Sequence, residues 1–156
     1  KRAGVRNVQV MDAGEEAALK ALGPRFDLVL VDAPCTGSGT WRRKPDAKWR
    51  VKPGNLPERQ AEQARVLDLG ATLTKPGGTL AYVTCSVLPE ENRDQVDAFL
   101  ERHGDFAVEP FAPVWAERIG GEAPRSADGR DDTLQLTPAQ HATDGFFIAL
   151  MRRHQP

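Results

Sequence analysis

The sequence has almost no excess charge of either sign: 21 lysines and arginines stand against 22 aspartates and glutamates, a net charge of −1. That balance excludes a global electrostatic pull toward nucleic acid or an anionic surface, so any such contact must come from a local patch. Long apolar runs are absent, and nothing approaches the roughly 20 residues of a membrane span, so no membrane partner is expected. No signal-peptide pattern stands at the start. Cysteine is scarce, two residues in 156, which suggests a reducing, cytoplasmic setting. The histidines, His103, His141 and His154, show no ligand spacing to either cysteine, so no metal is expected. Internal repeats and low-complexity tracts are missing as well. What remains is a length and an apolar content suited to a single domain over residues 1–156 with a real core.

The two cysteines sit in matching places. Asp27-Leu-Val-Leu-Val-Asp32 runs into Ala33-Pro-Cys35-Thr-Gly-Ser-Gly39, and Thr79-Leu-Ala-Tyr-Val-Thr84 runs into Cys85-Ser86. Short apolar runs of this kind, bounded by turn residues, predict strands buried on both faces of a parallel sheet. A helical segment lies between them, so they read as one βαβ unit, and a right-handed crossover makes the strands parallel. Both cysteines then emerge at the carboxyl edge, where open α/β sheets bind ligands.

Along the chain, Val5–Met11 alternates as a strand does, and 15–22 reads as a short helix with Ala17, Ala18, Leu19 and Leu22 inward, closed by Gly23-Pro24. Phe26–Asp32 is the first buried strand. Ala33–Leu56 is a long loop, and loops of such length are usually functional or disordered. Pro57 starts a helix whose face carries Ala61, Ala64, Leu67 and Ala71 and which ends at Lys75-Pro76-Gly77-Gly78. The second buried strand is Thr79–Cys85. Pro89 opens another helix with the stripe Val96, Phe99, Leu100 and His103. Phe106–Glu109 reads as a short strand, 111–130 as an irregular excursion, and Gly145–Met151 as a last strand that Arg152 and Arg153 carry into solvent.

A free cysteine is most often a buried structural residue. Here the flanking Pro, Gly and Ser residues shape tight turns at strand ends, which is not how the middle of a core is built. The loop beyond Cys35 carries Arg42, Arg43, Lys44, Lys48, Arg50 and Lys52 interleaved with Trp41 and Trp49, with Asp46 alone offsetting them. Such a patch suits phosphates and stacked, unpaired bases; the plainer reading is a solvated basic loop. The same cations are candidates for lowering the pKa of a nearby thiol. Asp12, at the end of the first expected strand, is equally a helix cap or a ligand contact.

Asp32-Ala-Pro-Cys35-Thr-Gly-Ser-Gly39 and Tyr82-Val-Thr-Cys85-Ser86 resemble the paired motifs of the RNA (cytosine-5) methyltransferases, the Sun/Fmu-like group. The resemblance extends through Arg43-Lys-Pro-Asp46-Ala-Lys48-Trp49, Gln60-Ala-Glu-Gln63, Lys75-Pro-Gly-Gly78, Pro89-Glu-Glu-Asn92 and Thr143-Asp-Gly-Phe-Phe-Ile-Ala149, essentially the whole chain. It implies a Rossmann-like α/β fold of the S-adenosylmethionine-dependent methyltransferases, a mostly parallel sheet with one antiparallel strand. It also implies methyl transfer from S-adenosylmethionine to carbon 5 of cytosine in RNA, ribosomal RNA in this group. Cys85 matches the nucleophile that adds to carbon 6. Cys35 matches the cysteine linked to product release, and Asp32 the acid that hydrogen-bonds the cytosine ring. Asp12 and Asp32 match the cofactor side, and Pro34, Arg43, Lys48 and Trp49 the RNA side. The glycine-rich cofactor turn of the family is not in the sequence, so the N-terminal strands are missing. The chain reads as the C-terminal part of the catalytic domain, with the other half expected in cis in the full-length protein, and alone it is expected to be inactive. Two other readings stay open: a non-catalytic RNA-binding module or cofactor-less fragment with the same fold, and a redox dithiol, although C-x-x-C spacing is lacking.

Overall fold

The computed structural model describes residues 4, 6–11, 16–52 and 54–155. Its centre is a sheet of five strands. β1 (Phe26–Asp32) pairs parallel with β2 (Thr74–Thr84), in register from Leu28 opposite Thr79 to Asp32 opposite Val83. Between them runs α2 (Asn55–Leu73), so the expected βαβ unit is present. On the other side of β2 lies β5 (Phe146–Arg153), antiparallel, with Thr84 opposite Phe147. The far edge of β5 is shared: β3 (Phe106–Glu109) pairs with its second half and β4 (Leu134–Leu136) with its first. β5 alone runs against the other strands, which is the single antiparallel strand that the resemblance implies. The remaining helices are α1 (Glu16–Lys20), α3 (Arg93–Arg102), α4 (Phe111–Arg118) and α5 (Pro138–His141).

One face of the sheet is packed. Leu80 and Tyr82 of β2, with Phe147, Ala149 and Met151 of β5, alternate inward as a strand's period of two requires. They meet Leu67 and Ala71 of α2 and Val96 and Phe99 of α3. The inner face of α2 is Gln63, Leu67, Gly70 and Ala71 rather than the stripe drawn through Ala61 and Ala64. Gly70 explains the rotation. A Cβ there would stand 2.7 Å from Leu80 Cδ1, so the helix approaches the sheet at its one residue without a side chain. Fully burying groups such as Leu67 or Phe99 stabilises by about 1.5–3 kcal/mol each, and it is this layer that fixes the crossover.

Several expectations need correction. β1 is not buried on both faces: Phe26, Leu28 and Leu30 are 38, 60 and 65% exposed, while Val29 and Val31 pack on the core. Nothing among the described residues covers the Leu28 and Leu30 side. The described part of the expected strand over Val5–Met11, residues 6–11, is not a strand, and Val8 and Val10 are exposed. A lone strand without a ladder partner has nothing to hold it, and no described strand pairs with it. The chain leaves α2 at Leu73 and not at Gly78. Thr74 already pairs with Phe26, and Lys75–Gly78 bulges out before pairing resumes at Thr79. The helix expected from Pro89 is a 3-10 turn, Pro89–Glu91, and then α3. Within 111–130 lies α4, anchored by buried Phe111, with Pro113 in its first turn where no amide donor is missed. Arg153 does not run into solvent. It donates to Asp105 at 2.8 Å and to the Thr74 carbonyl at 2.6 Å.

Candidate functional site

The parallel pairing of β1 and β2 brings their carboxyl ends together. Ala33 N–H still donates to Val83 O at 2.9 Å, which carries the pairing one step past β1. Two residues further the chain reaches Cys35, and Cys85 directly follows β2. Their sulfurs lie 3.4 Å apart, hydrogen-bonded and not joined as a disulfide. Both are half-buried.

The turn after Cys35 closes back on the sheet through glycine. Gly39 N–H donates to Cys85 O at 3.0 Å, and Gly145 N–H donates to Gly39 O at 2.8 Å. A Cβ on Gly39 would stand 2.2 Å from the Gly145 carbonyl oxygen, so no other residue fits without displacing backbone. Ser38 Oγ shares a hydrogen bond of 2.9 Å with Ser86 Oγ and accepts from Val87 N–H at 3.0 Å. Beneath Cys85, Thr84 Oγ1 donates to Asn92 Oδ1 at 2.5 Å. Asn92 Nδ2 in turn donates to Ser86 O at 3.0 Å and to Gln135 Oε1 at 2.8 Å. On the Cys35 side, Gln63 Nε2 donates to Pro34 O at 2.9 Å. The thiols are thus set on a buried polar scaffold in which each turn is tied at several points.

When two thiols are in contact, loss of one proton leaves a thiolate that the other thiol can hydrogen-bond, so the two protons leave in separated steps. The hydrogen bond from Cys35 pulls the Cys85 thiol down to about 7, against burial and the nearby charges of Asp32 and Glu91. The same bond, with burial, pushes the Cys35 thiol up. The pair is therefore suited to ionise at Cys85, with Cys35 able to donate to the resulting thiolate. The lowering comes chiefly from a neutral neighbour rather than from the basic loop, which corrects the expectation that cations activate the thiol.

The loop residues divide. Asp144, buried beside Gly145, forms ion pairs with Arg43 and, at 3.6 Å, with Arg42. Asp46 holds Arg50 at 2.5 Å. Asp46 is therefore not the lone offset to the patch; Asp144 arrives from a hundred residues away through the Gly39–Gly145 contact. Lys44, Lys48 and Lys52 have no ion pair among the described residues, and Lys48 Nζ lies 4.8 Å from the ring centre of Trp49. Trp49 is 80% exposed, an open stacking surface. Beside Cys35 opens a cavity of about 380 Å³ lined by Thr36, Ala47, Arg50, Val51, Asn55 and Arg59. Asp32 is exposed at the end of β1. Asp12 lies outside the described residues. Arg59, Asn55, Asp144, Glu91 and Gln135 were not singled out as functional from the sequence. Glu91 and Asp144 lay inside quoted motifs without a role of their own, while Gln135 had no local signal; the partners of all three are distant in the chain.

The family model described as 16S rRNA methyltransferase RsmB/F matches residues 1–152. The chain belongs to that family. It is 42% identical over 127 residues to ribosomal RNA small subunit methyltransferase B of Shewanella oneidensis, covering 81% of this chain and 27% of that protein. With the protein of the same name from Salmonella typhi it shares 43% over 126 residues, 78% of this chain and 29% of the other. The chain thus spans less than a third of the length of these curated relatives. Among solved structures, PH0851 superposes with a TM-score of 0.73 at 35% identity, over 84% of this chain and 27% of the other. NSun6 from Pyrococcus horikoshii, solved with SFG, superposes with a TM-score of 0.77 at 25% identity, over 99% of this chain and 37% of the other. The RsmB/F assignment and these superpositions bear out the Rossmann-like methyltransferase fold that the resemblance implies.

Proposed function

We propose that this RsmB/F-family chain carries the thiol centre of an S-adenosylmethionine-dependent RNA (cytosine-5) methyltransferase acting on ribosomal RNA in the cytoplasm. The observation that carries the reading is the pair of unequal thiols in contact at the carboxyl edges of two adjacent parallel strands. Cytosine carbon 5 is a poor nucleophile. A thiolate adding to carbon 6 forms the S–C6 bond and moves electron density onto carbon 5, and Cys85 is the group able to do so near neutral pH. Asp32, exposed at the same edge, is the carboxyl proposed to hydrogen-bond the ring during addition. S-adenosylmethionine supplies an electrophilic methyl group when bound. Of its site the described residues offer one exposed carboxylate, Asp32, at the open edge of the sheet, a partial fit that agrees with a site completed elsewhere in a longer protein.

Release reverses the addition. The carbon 5 proton passes to a solvent base, the C5–H electron pair restores the C5=C6 bond, and the C6–S bond breaks to return the Cys85 thiolate. A donor to the leaving sulfur lowers the cost of that charge, and Cys35 is such a donor, which gives physical content to its part in release. The cavity beside Cys35 is of a size to take one nucleotide, and Trp49 and Lys48 offer stacking and phosphate contact along a neighbouring stretch of single-stranded RNA, with Pro34 at the mouth. Arg43 is the least suited of the proposed RNA contacts, since it is bound to Asp144. The 156-residue chain on its own is expected not to transfer methyl groups.

In the full-length protein incubated with RNA and cofactor, Cys85→Ala is expected to abolish both methyl transfer and any covalent protein–RNA species. Cys35→Ala is expected to accumulate the covalent species. Methyl transfer by Cys85→Ala would refute the assignment, and identical behaviour of the two variants would refute the division of roles.

A further inference from the structure

The two cysteine turns are bridged by a single carboxyl group. Glu91, completely buried, sits in the 3-10 turn after Cys85. Its Oε1 accepts from Thr36 N–H at 2.7 Å and from Gln63 Nε2 at 3.2 Å. Its Oε2 accepts from Thr36 Oγ1 and from Ser86 Oγ, each at 2.5 Å. Thr36 follows Cys35 and Ser86 follows Cys85, so the carboxyl grips the neighbour of each thiol. The backbone carbonyl of Glu91 is fixed too, accepting from Tyr82 Oη at 2.6 Å. All four partners of the side chain are neutral: an amide, a carboxamide and two hydroxyls. Burying a carboxylate among neutral donors is costly compared with an apolar side chain of the same size. Stability alone is a poor reason to have it there.

We infer that Glu91 is the positioning residue of the thiol pair: by holding Thr36 and Ser86 at once, it keeps Cys35 Sγ in hydrogen-bond contact with Cys85 Sγ. The inference rests on the reading of Cys85 as nucleophile and names what holds that nucleophile in its reactive state. Glu91 acts through its two neighbours and not on the substrate. Two effects of opposite sign follow. The charge of Glu91 by itself disfavours a thiolate at Cys85, whereas the contact it enforces supplies the Cys35 donor, which is the larger effect and favours the thiolate.

Substitutions separate the two. In Glu91→Gln the amide oxygen can replace Oε1 toward Thr36 N–H and Gln63, and the amide NH2 can donate to the Thr36 and Ser86 hydroxyls, which accept as readily as they donate. Position is kept and charge is lost. Glu91→Ala loses both. The measurement is iodoacetamide alkylation of the full-length protein across a pH series, resolved by peptide mass spectrometry at Cys85. In Glu91→Ala the midpoint is expected to rise from about 7 toward the ordinary thiol value of about 8.5. In Glu91→Gln it is expected to fall below that of the unsubstituted protein. A residue with only a structural role would lower the melting temperature without moving the two midpoints in opposite directions.

A folded Glu91→Ala protein whose midpoint is unmoved or lowered would overturn the inference. If that variant does not fold, Thr36→Val decides: it removes one hydroxyl donor and keeps the amide, and a raised midpoint supports the grip while an unmoved one refutes it. Alkylation does not require methyl transfer. Unmoved midpoints with a Cys85-dependent RNA adduct would sink this inference alone, and methyl transfer by Cys85→Ala would sink the functional reading alone.

Discussion

Replacing Cys35 by alanine removes the donor that distinguishes the two thiols, and the consequence can be worked through. With the bond in place Cys85 titrates at about 7, so close to half of it is thiolate at neutral pH. Without the bond the ordinary value of about 8.5 leaves roughly 3%, a loss of about 16-fold in reactive form. The more basic thiolate is intrinsically the better nucleophile, and a Brønsted coefficient of about 0.45 over 1.5 pH units returns about fivefold. The alkylation rate of Cys85 at pH 7 is therefore expected to fall only about threefold, while its midpoint moves up by more than one pH unit. The direction is fixed by sign. A hydrogen bond to the anion favours the anion, so its removal moves the titration to higher pH and the reactive form is lost on the acid side first. The pH profile of adduct formation with RNA should shift in the same direction. An unmoved midpoint in Cys35→Ala would mean that the low value at Cys85 comes from elsewhere in the site, and the account of both thiols would fail.

The basic loop and the glycine contact make two further predictions. Lys48→Ala should weaken RNA binding and reduce the log–log salt slope by about 0.7; Arg43→Ala should leave the slope nearly unchanged and instead cost about 1–2 kcal/mol of stability, between the values for exposed and buried pairs, because it leaves buried Asp144 with only the longer pair to Arg42. A full slope change in Arg43→Ala, measured by binding titrations at several salt concentrations, would return that residue to the phosphate contacts. Gly39→Ala should destabilise by about 1–3 kcal/mol as overpacking does, since the added carbon would sit 2.2 Å from the Gly145 oxygen, and a thermal melt equal to that of the unsubstituted protein would show that the two glycines separate without cost.

The parts of this fold that sequence revealed are those whose physics is local or periodic. β1 from Phe26 to Asp32, the stripe of α3 and the apolar run of β5 show a pattern within a few residues, and such patterns are visible without coordinates. The convergence of Cys35 and Cys85 was visible too, because a right-handed crossover leaves two parallel strands one way to end. What stayed hidden depends on partners far along the chain. Asp144 meets Arg43 only because Gly39 and Gly145 let two backbones touch. Gln135 reaches Asn92 only because β4 shares an edge of β5 with β3. Glu91 looked like the start of a helix, since a charged residue after proline is what helix starts contain. The helix begins two residues later, at Arg93, and Glu91 itself closes the 3-10 turn Pro89–Glu91, with its carboxylate turned inward. A local rule failed at the place where the side chain has work to do, which is where such failures are to be expected.

The opposite error, at β1, has the opposite cause. Leu28 and Leu30 were read as buried because their run is apolar on both alternating sets, the mark of a strand covered on two faces. The structure covers only the set carrying Val29 and Val31. The pattern was not misread as chemistry. An apolar residue records where burial lowers free energy, and this chain spans only 27% of the curated relative from Shewanella oneidensis and 37% of NSun6 from Pyrococcus horikoshii. Exposed side chains at Leu28 and Leu30, next to a strand edge that no described residue pairs, together bring a free apolar face and free backbone donors to one border of the sheet. That border also carries Asp32, exposed at the end of the same strand and proposed above for the cofactor side of the site.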